Sequence, residues 1–244
     1  MSRYQAFFYH FLISFAIFIV LAYVVRFHWY PDFFFSIDGG WEGIRIIIGV
    51  DLILGPLLTL IVFKAGKPGL RLDLALIGTL QAVCLTVGLY IIYTERPIFF
   101  VYYERHFYSS SADTFTNYEV ATPDPSPYAN ERPAKVISLL PENPIEEADF
   151  RVMLYKSGIP PWVYHHTYKP LNLHLDKVIN EGTSEKELLS RDSTGKLNAW
   201  LLDHGGNFND YAFIPIHSRY RDGFLGIRKS DKSFIDILEI PPPI

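Results

Sequence analysis

One aspartate stands inside an apolar stretch long enough to cross a membrane. The stretch GVDLILGPLLTLIVFK holds Asp51, with Gly55 and Thr59 four and eight residues later and Pro56 beside the glycine. An ionised carboxylate is costly inside a span, so Asp51 has to be protonated, paired, or turned towards protein or water. Residues four apart share one helix face, and a proline frees one backbone carbonyl and kinks the helix. This face is therefore predicted to meet another helix rather than acyl chains.

A later apolar stretch carries a matching face. Gly78, Ala82 and Thr86 recur at intervals of four residues, and Gln81 lies beside them. Small residues let helix backbones approach closely, and a glutamine can hydrogen-bond across helices. Three interpretations remain open. Asp51 and Gln81 join two spans of this chain, or they receive the helix of another membrane protein, or they line a path for protons or ions.

Three stretches have the roughly 20 apolar residues that a membrane-spanning helix requires. They lie at about 6–25, 44–63 and 73–93, which predicts a transmembrane domain over 1–94 and a domain of ordinary soluble composition over 95–244. The first stretch has the position of a secretory signal peptide. Its apolar run is too long for one and no small-residue cleavage site follows, so we expect an uncleaved anchor.

Basic residues predict the orientation of the spans. The short loop between the second and third spans contains Lys64, Lys67 and Arg71, and such loops face the cytoplasm. The N-terminus then lies on the cytoplasmic side, and everything after Tyr93 lies on the opposite side of the membrane. Aromatic residues crowd the same outer boundary, where rings with one polar end are enriched.

The second half of the chain has the pattern of an α+β domain. Residues 96–112 are rich in aromatic and β-branched types and predict a strand, whereas 145–155 carry a helical period. Capping residues and glycine stops predict further short helices up to residue 204. Turns at Asp222-Gly223 and Asp231-Lys232 separate three apolar segments, which predicts a C-terminal antiparallel meander.

Composition argues against several classes of function. The formal net charge of −4 shows no basic excess for a nucleic-acid partner. Cys84 is the one cysteine in the chain, so no intrachain disulfide can form. Four histidines fall at spacings that match no zinc pattern, and we predict no metal and no cofactor. They are His165, His166, His174 and His204.

No catalytic constellation is evident from the residue pattern. The acids nearest the outer membrane boundary are Asp38, Glu42 and Glu95, and they belong to separate segments. Trp162 and Tyr164 follow a double proline and are candidates for an exposed aromatic anchor of the kind that interfaces favour. The alternative for Trp162 is an ordinary place in the core of the domain.

The order of motifs over residues 25–110 resembles the type IV pilin accessory proteins of Gram-negative bacteria, the TfpX/TfpZ group. An aromatic HWYP follows the first span, and GGWEG precedes the second. The segment VDLILGPLLTLIVF and a Lys-rich turn come next, followed by DLALIGTLQAVCLTVGLYIIYTERPIFFVYYERHF. From about residue 115 the chain shows no family signature.

The resemblance implies a bacterial inner-membrane protein that promotes assembly or surface display of one cognate major pilin, without catalytic activity. The expected partners are that pilin, other inner-membrane pilus assembly proteins and membrane lipid, while the second domain lies in the periplasm. A groove for the pilin helix is predicted from Asp51, Gly55, Pro56, Thr59, Gly78, Gln81 and Ala82, with weaker pilin-head contacts at Trp162 and Tyr164. The alternatives are a membrane-bound enzyme that modifies pilin or envelope, or a transport or channel accessory built around Asp51.

Overall fold

The computed structural model describes residues 1–128 and 131–243, and the chain divides into two compact units, Met1–Arg96 and Pro97–Ile244. Within the described part, three helices of the first unit are long and apolar enough to cross a membrane. The second unit is built on a β-sheet with surrounding helices. The prediction of a membrane protein with three N-terminal spans and an α+β domain is therefore confirmed.

The three membrane helices extend beyond the predicted apolar stretches. The first covers Arg3–Trp29, the second Gly40–Val62 and the third Leu70–Glu95. The first membrane helix consists of α1 (Arg3–Val24) and a π-helical turn (Val25–Trp29). The second consists of α3 (Gly40–Ile47), a π-helical segment (Ile48–Leu54) and α4 (Gly55–Val62). The third is α5 (Leu70–Glu95). A short helix, α2 (Phe34–Ile37), lies between the first two membrane helices.

The π-helical segment of the second membrane helix ends directly before the Gly55-Pro56 pair. A proline has no backbone N–H, and its ring clashes with the carbonyl four residues earlier in a regular α-helix. Here the Gly55 N–H reaches back to the carbonyl of Val50, five residues earlier, which widens the turn. The proline is thus accommodated by a π-helical turn, and Asp51 lies inside that turn.

At one end of the first unit, aromatic and aliphatic side chains form a small core that includes Val25, Tyr30, Ile47 and Ile92. The Tyr30 hydroxyl donates to the backbone carbonyl of Ile92 at 2.9 Å. The segment after the first membrane helix is thereby tied to the end of the third. This contact and the packing around it fix the ends of the helices, which run together towards the polar residues in the middle of the bundle.

The second unit contains a seven-stranded sheet within the described residues, ordered β4-β3-β1-β2-β5-β6-β7. The strands are β1 (Pro97–Tyr103), β2 (His106–Ser111), β3 (Ala134–Ser138), β4 (Tyr168–Pro170), β5 (Tyr211–His217), β6 (Gly223–Arg228) and β7 (Phe234–Leu238). The pairs β1/β3 and β2/β5 are parallel, and β5, β6 and β7 form the antiparallel meander that the turn residues predicted.

The single strand predicted over residues 96–112 is instead a hairpin. Glu104 and Arg105 form its turn, with φ of 43° and 67°. Such turns normally take glycine or asparagine because both central residues have positive φ. Glu104 and Arg105 are therefore residue types that give no sequence signal for this turn. Both of its side chains are held by partners, since Glu104 pairs with Arg151 and the Arg105 Nε donates to the carbonyl of Glu181 at 3.3 Å.

Helices cover the sheet in two apolar clusters. One joins β1 and β3 to α6 (Ala112–Asn117) through Phe99, Val136 and Phe115. The other joins the C-terminal meander to α9 (Glu185–Arg191) and α10 (Lys196–His204) through Phe213 and Trp200. Two further helices are α7 (Pro144–Ser157) and α8 (Leu175–Asn180). Helix α7 buries Leu154 and leaves Ile145, Val152 and Tyr155 exposed.

The side chain of Asp192 caps α10 ahead of its first turn. Its carboxylate accepts from the backbone N–H of Lys196 at 3.0 Å and from that of Leu197 at 2.8 Å. Partial burial by itself would raise the pKa of Asp192, but the backbone N–H groups of Leu197, Lys196 and Thr194 outweigh it and lower the pKa below its ordinary value. The ionised form therefore stabilises the folded state.

We expect Asp192→Ala to lower the free energy of unfolding by about 1 kcal/mol at neutral pH, the usual effect of losing a cap. Because the folded pKa is depressed, this stabilisation is present above the unfolded pKa and is lost as the pH falls through the folded value. Tryptophan fluorescence during thermal unfolding of the full chain in detergent measures it, at pH 7 and near pH 3. Asp203→Ala, in the last turn of the same helix, is the matched control, and an equal loss there would contradict the capping role.

Candidate functional site

Five polar side chains from the three membrane helices meet in the middle of the bundle. We call them the polar network. The members are His10 and Ser14 of the first membrane helix, Asp51 and Thr59 of the second, and Gln81 of the third. Asp51 is 2% exposed and Ser14 is 1% exposed, so the carboxylate is removed from lipid. Every helix of the bundle thus contributes a hydrogen-bonding group to the same point.

Asp51 is held by both neighbouring helices. Its Oδ1 accepts from the Ser14 hydroxyl at 3.2 Å and from the Gln81 amide nitrogen in a short contact. The same amide nitrogen lies 3.3 Å from the backbone carbonyl of Asp51 and 3.2 Å from the Ser14 oxygen. The second carboxylate oxygen, Oδ2, is buried and has no hydrogen-bond partner among the described residues. One half of the carboxylate is therefore satisfied by the bundle itself.

His10 closes the network on the other side of Gln81. Its Nδ1 lies 2.6 Å from the Thr59 hydroxyl and its Nε2 lies 2.9 Å from the Gln81 amide oxygen. An amide oxygen only accepts, so Nε2 carries a proton and donates. The Thr59 hydroxyl can donate to Nδ1 or to the carbonyl of Gly55, 3.2 Å away. The hydrogen bonds of His10 thus join the first membrane helix to the other two.

Gly55 is required by the close approach of Gln81. A Cβ at position 55 would lie 2.3 Å from the Gln81 Oε1 and 2.6 Å from its Nε2. The end of a glutamine side chain is ordinarily free to move away. Here its oxygen and its nitrogen are both engaged, with His10 and with Asp51. The absence of a side chain at Gly55 thus lets the amide group reach between the helices.

The structure separates the predicted groove residues into two sets. Asp51, Gly55, Thr59 and Gln81 come together, and Pro56 is buried beside them. Gly78 and Ala82 instead lie on an exposed face of the third membrane helix, and a Cβ added at Gly78 would meet nothing within 4 Å. Gln81 points into the bundle, and Gly78 and Ala82 lie roughly 60° and 100° around the helix axis from it, both in the same direction. Binding of a pilin helix by these residues stays a prediction.

Sequence reasoning missed His10 and Ser14. The apolar run around them predicts a uniform membrane anchor, although the two residues are four apart and so share a helix face. That spacing within an otherwise apolar stretch was the available signal. The interaction between the second and third spans, considered as one interpretation of Asp51 and Gln81, is present in the structure and extends to the first membrane helix through these two side chains.

The two aromatic candidates of the second unit are half-buried. The Trp162 ring stacks on Tyr108 with centroids 4.0 Å apart and packs against the cluster of β1 and β3. Tyr164 makes an edge contact with Phe150 of α7 at 5.2 Å between centroids. Trp162 therefore lies at the edge of the core, and Tyr164 supports α7. Neither contact tests a role in binding a partner.

The second unit also has a cavity of about 460 Å³ beside the ends of β1 and β3. Its polar wall groups include Tyr102, whose hydroxyl donates to Glu181, and Glu104, which pairs with Arg151. Burial raises the pKa of Tyr103 to about 12, with Glu104 adding to the effect, so this phenol remains a donor at neutral pH. In the described part of the chain, no group of three or more His, Cys, Asp or Glu side chains is placed to hold a metal ion.

We expect Gly55→Ala to destabilise the membrane bundle, because the new methyl group displaces the Gln81 amide and leaves Asp51 and His10 without their shared partner. A loss of about 1–3 kcal/mol corresponds to a buried polar group left unsatisfied. Gly49→Ala in the same membrane helix is the control, since a Cβ there meets nothing within 4 Å. Thermal unfolding in detergent compares the two variants, and equal midpoints would contradict the close approach.

The chain is similar to three proteins of Dichelobacter nodosus over 98 residues. It is 37% identical to the fimbrial assembly protein of serogroup E1 and 36% identical to those of serogroup I and of serogroups C1 and C2. The match covers 38% of this chain, 37% of the length of the first two relatives and 72% of the third. No protein-family model and no solved structure matches the chain. The chain belongs to the family of these fimbrial assembly proteins.

Proposed function

We propose that this protein is a non-enzymatic accessory factor of the bacterial inner membrane that holds one cognate type IV pilin and promotes its assembly or display. In this proposal the N-terminus is cytoplasmic and the second unit is periplasmic. One observation carries it. The third membrane helix presents small residues outward while its polar residue is engaged inside the bundle. We call Gly78, Ala82 and Thr86 the small-residue face.

The small-residue face has the properties of a seat for another helix. All three residues are exposed, and the Thr86 hydroxyl is already satisfied by the carbonyl of Ala82 at 2.7 Å. A glycine inside a helix is about 1 kcal/mol less favourable than alanine. Facing lipid, Gly78 gains nothing in return, whereas against a second helix it permits close packing of the backbones.

The polar network inside the bundle holds the small-residue face in a fixed orientation. In an apolar solvent the helices lack a hydrophobic driving force for association, so packing and hydrogen bonds between helices hold them together. Gln81 bonds to both other membrane helices and thereby fixes the rotation of the third helix about its axis. The predicted groove residues Asp51, Gly55, Pro56 and Thr59 then act as a scaffold that determines which face of the third helix is offered to the pilin.

The relatives support the pilus context. They are named fimbrial assembly proteins, and the resemblance in motif order points to a helper of one pilin. The chain spans 37% of the length of two of these relatives, so a shared activity is part of the proposal. Other inner-membrane pilus assembly proteins are further partners in this proposal.

A proton-linked role is the second candidate. It is favoured by the buried, unpartnered Oδ2 of Asp51 and by the imidazole of His10, which is hydrogen-bonded in the same polar network. Against it, Asp51 is the one buried acid of the three membrane helices among the described residues. A proton relay needs several titratable groups in succession. The two candidates differ in whether the charge of Asp51 or only its shape is required.

We expect Asp51→Asn to retain piliation at close to the normal level, because asparagine keeps the acceptor oxygen that Ser14 and Gln81 use and removes only the charge. Electron microscopy of cells measures the number of pili, with pilin mass measured alongside. Loss of pili with normal amounts of the variant in the membrane would favour the proton-linked role. An altered pilin mass in a strain lacking this protein would favour an enzyme instead.

A photo-crosslinking residue at Ala82 should capture the pilin encoded beside this protein, because position 82 lies on the small-residue face. The matched control is Val87, which is exposed but lies roughly 140° around the helix axis. Gly78→Leu should lower capture at position 82 without unfolding the bundle, since nothing lies within 4 Å of that site. Equal capture at 82 and 87, or equal capture of an unrelated pilin, would contradict the proposal.

A further inference from the structure

The cavity of the second unit lies at a place in the sheet where ligands commonly bind. Strands β1 and β3 are adjacent and parallel, so their carboxyl ends meet at the same edge of the sheet. From β1 the chain turns to β2 on one side, whereas β3 is followed by α7 and then by β4 on the other side. In open α/β sheets, ligands bind in the crevice at the carboxyl ends of parallel strands whose connections diverge in this way. The cavity volume of about 460 Å³ is typical of small-ligand pockets.

The floor of the cavity is apolar, and both strands contribute to it. Tyr102 of β1 is directly paired with Ile137 of β3, so the two side chains point to the same face of the sheet. Leu139 and Leu140, which follow β3, line the same cavity. The hydroxyl of Tyr102 is already engaged, because it donates to Glu181. An apolar group of a ligand therefore fits against this floor.

Two of the three acids that line the cavity already have partners. Glu181 accepts from the Tyr102 hydroxyl, and Glu104 pairs with Arg151. The third acid is Glu142, which lies on the segment between β3 and α7 and is exposed. Among the described residues, no cation is close enough to Glu142 to form an ion pair with it. Its carboxylate is therefore able to accept a hydrogen bond from an N–H group of a ligand.

Two exposed cations that line the cavity have donors to spare. Arg105 uses its Nε for the carbonyl of Glu181 at 3.3 Å, and its two terminal nitrogens make no ion pair within the described part of the chain. Burial and Glu181 raise the pKa of Tyr102, and the charge of Arg105 opposes them, which places the guanidinium near the floor. Lys177 of α8 lies one turn before Glu181, and it forms no ion pair with any described residue. A guanidinium and an ammonium group together favour a carboxylate.

We propose that this cavity binds the end of a peptide chain that has a free carboxyl group and an apolar last residue. Arg105 and Lys177 bind the carboxylate, and the apolar side chain packs on Ile137 and Leu140. An amide N–H of the peptide donates to the Glu142 carboxylate. All of these groups belong to the second unit, so the site is independent of the small-residue face.

The charges of the cavity disfavour a phosphate group or a metal ion as its ligand. Three acids and two cations line it, so an anion with two negative charges would be repelled, whereas a single carboxylate is matched by Arg105 and Lys177. A metal ion needs several free ligands, and Glu104 and Glu181 are already engaged. The described residues also include no group of three or more side chains placed to hold a metal.

Isothermal titration calorimetry of the full chain in detergent tests the site with N-acetyl-leucyl-leucine, and titration into detergent alone is subtracted. The uncharged N-acetyl-leucyl-leucinamide should bind about tenfold more weakly, because it lacks the charge-assisted hydrogen bonds. Lys177→Gln should weaken binding of the acid by about three- to tenfold and leave binding of the amide unchanged. Lys186→Gln in α9 is the matched control, since it removes the same charge outside the cavity. Arg105→Gln is a second variant with the same expected direction, and circular dichroism checks that each variant is folded.

Several results would overturn the inference. Absence of binding of N-acetyl-leucyl-leucine to the unsubstituted chain would reject the site outright. Equal affinities for the acid and the amide would show that the carboxylate is not recognised. Equal losses with Lys177→Gln and Lys186→Gln would assign the effect to overall charge. Hexanoate, a small carboxylic acid without amide groups, would assign the cavity to free acids rather than to peptide ends if it bound as tightly as the dipeptide.

Discussion

The hydrogen bonds between the Gln81 amide, the Asp51 carboxylate and the Ser14 hydroxyl are the contacts on which the membrane unit depends. A lone carboxylate inside a bilayer is unstable unless other groups replace its hydration. Here the replacement comes from two other helices of the same chain, so burial of Asp51 requires all three membrane helices to be in place. The Asp51 carboxylate disfavours insertion of the second helix as an isolated span, and the same carboxylate joins that helix to its two neighbours.

Local features of the backbone follow from this one constraint. Gly55 leaves room for the amide of Gln81, and the π-helical turn before Pro56 carries Asp51. The Gln81 amide has its nitrogen on Asp51 and its oxygen on His10, so its orientation is determined by both ends of the network. A residue that serves two helices at once cannot rotate freely. The outward faces of the bundle are consequently fixed, including the small-residue face that we propose as the seat of a pilin helix.

In the second unit, polar contacts likewise hold a helix in a fixed orientation. Helices cover its sheet in two apolar clusters, whereas α7 buries Leu154 and leaves Ile145, Val152 and Tyr155 exposed. The Glu104-Arg105 turn takes part in this arrangement, because Glu104 holds Arg151 of α7 and Arg105 reaches the end of α8. Positive φ at both turn residues is offset by these pairings. The exposed face of α7 is thus held in position by polar contacts behind it.

The sequence by itself determined the three spans, the α+β class and the C-terminal meander, because length, apolar runs and turn residues are local properties of the chain. It also marked Asp51 and Gln81, since polar residues stand out in apolar stretches. Only the tertiary structure decided that His10 and Ser14 complete their network, that Gly78 and Ala82 face away from it, and that Ile145, Val152 and Tyr155 of α7 are exposed. Those facts depend on the rotation of each helix about its axis, and contacts with distant segments determine that rotation. A periodic pattern shows that a helix has a face, whereas packing determines which way the face is turned.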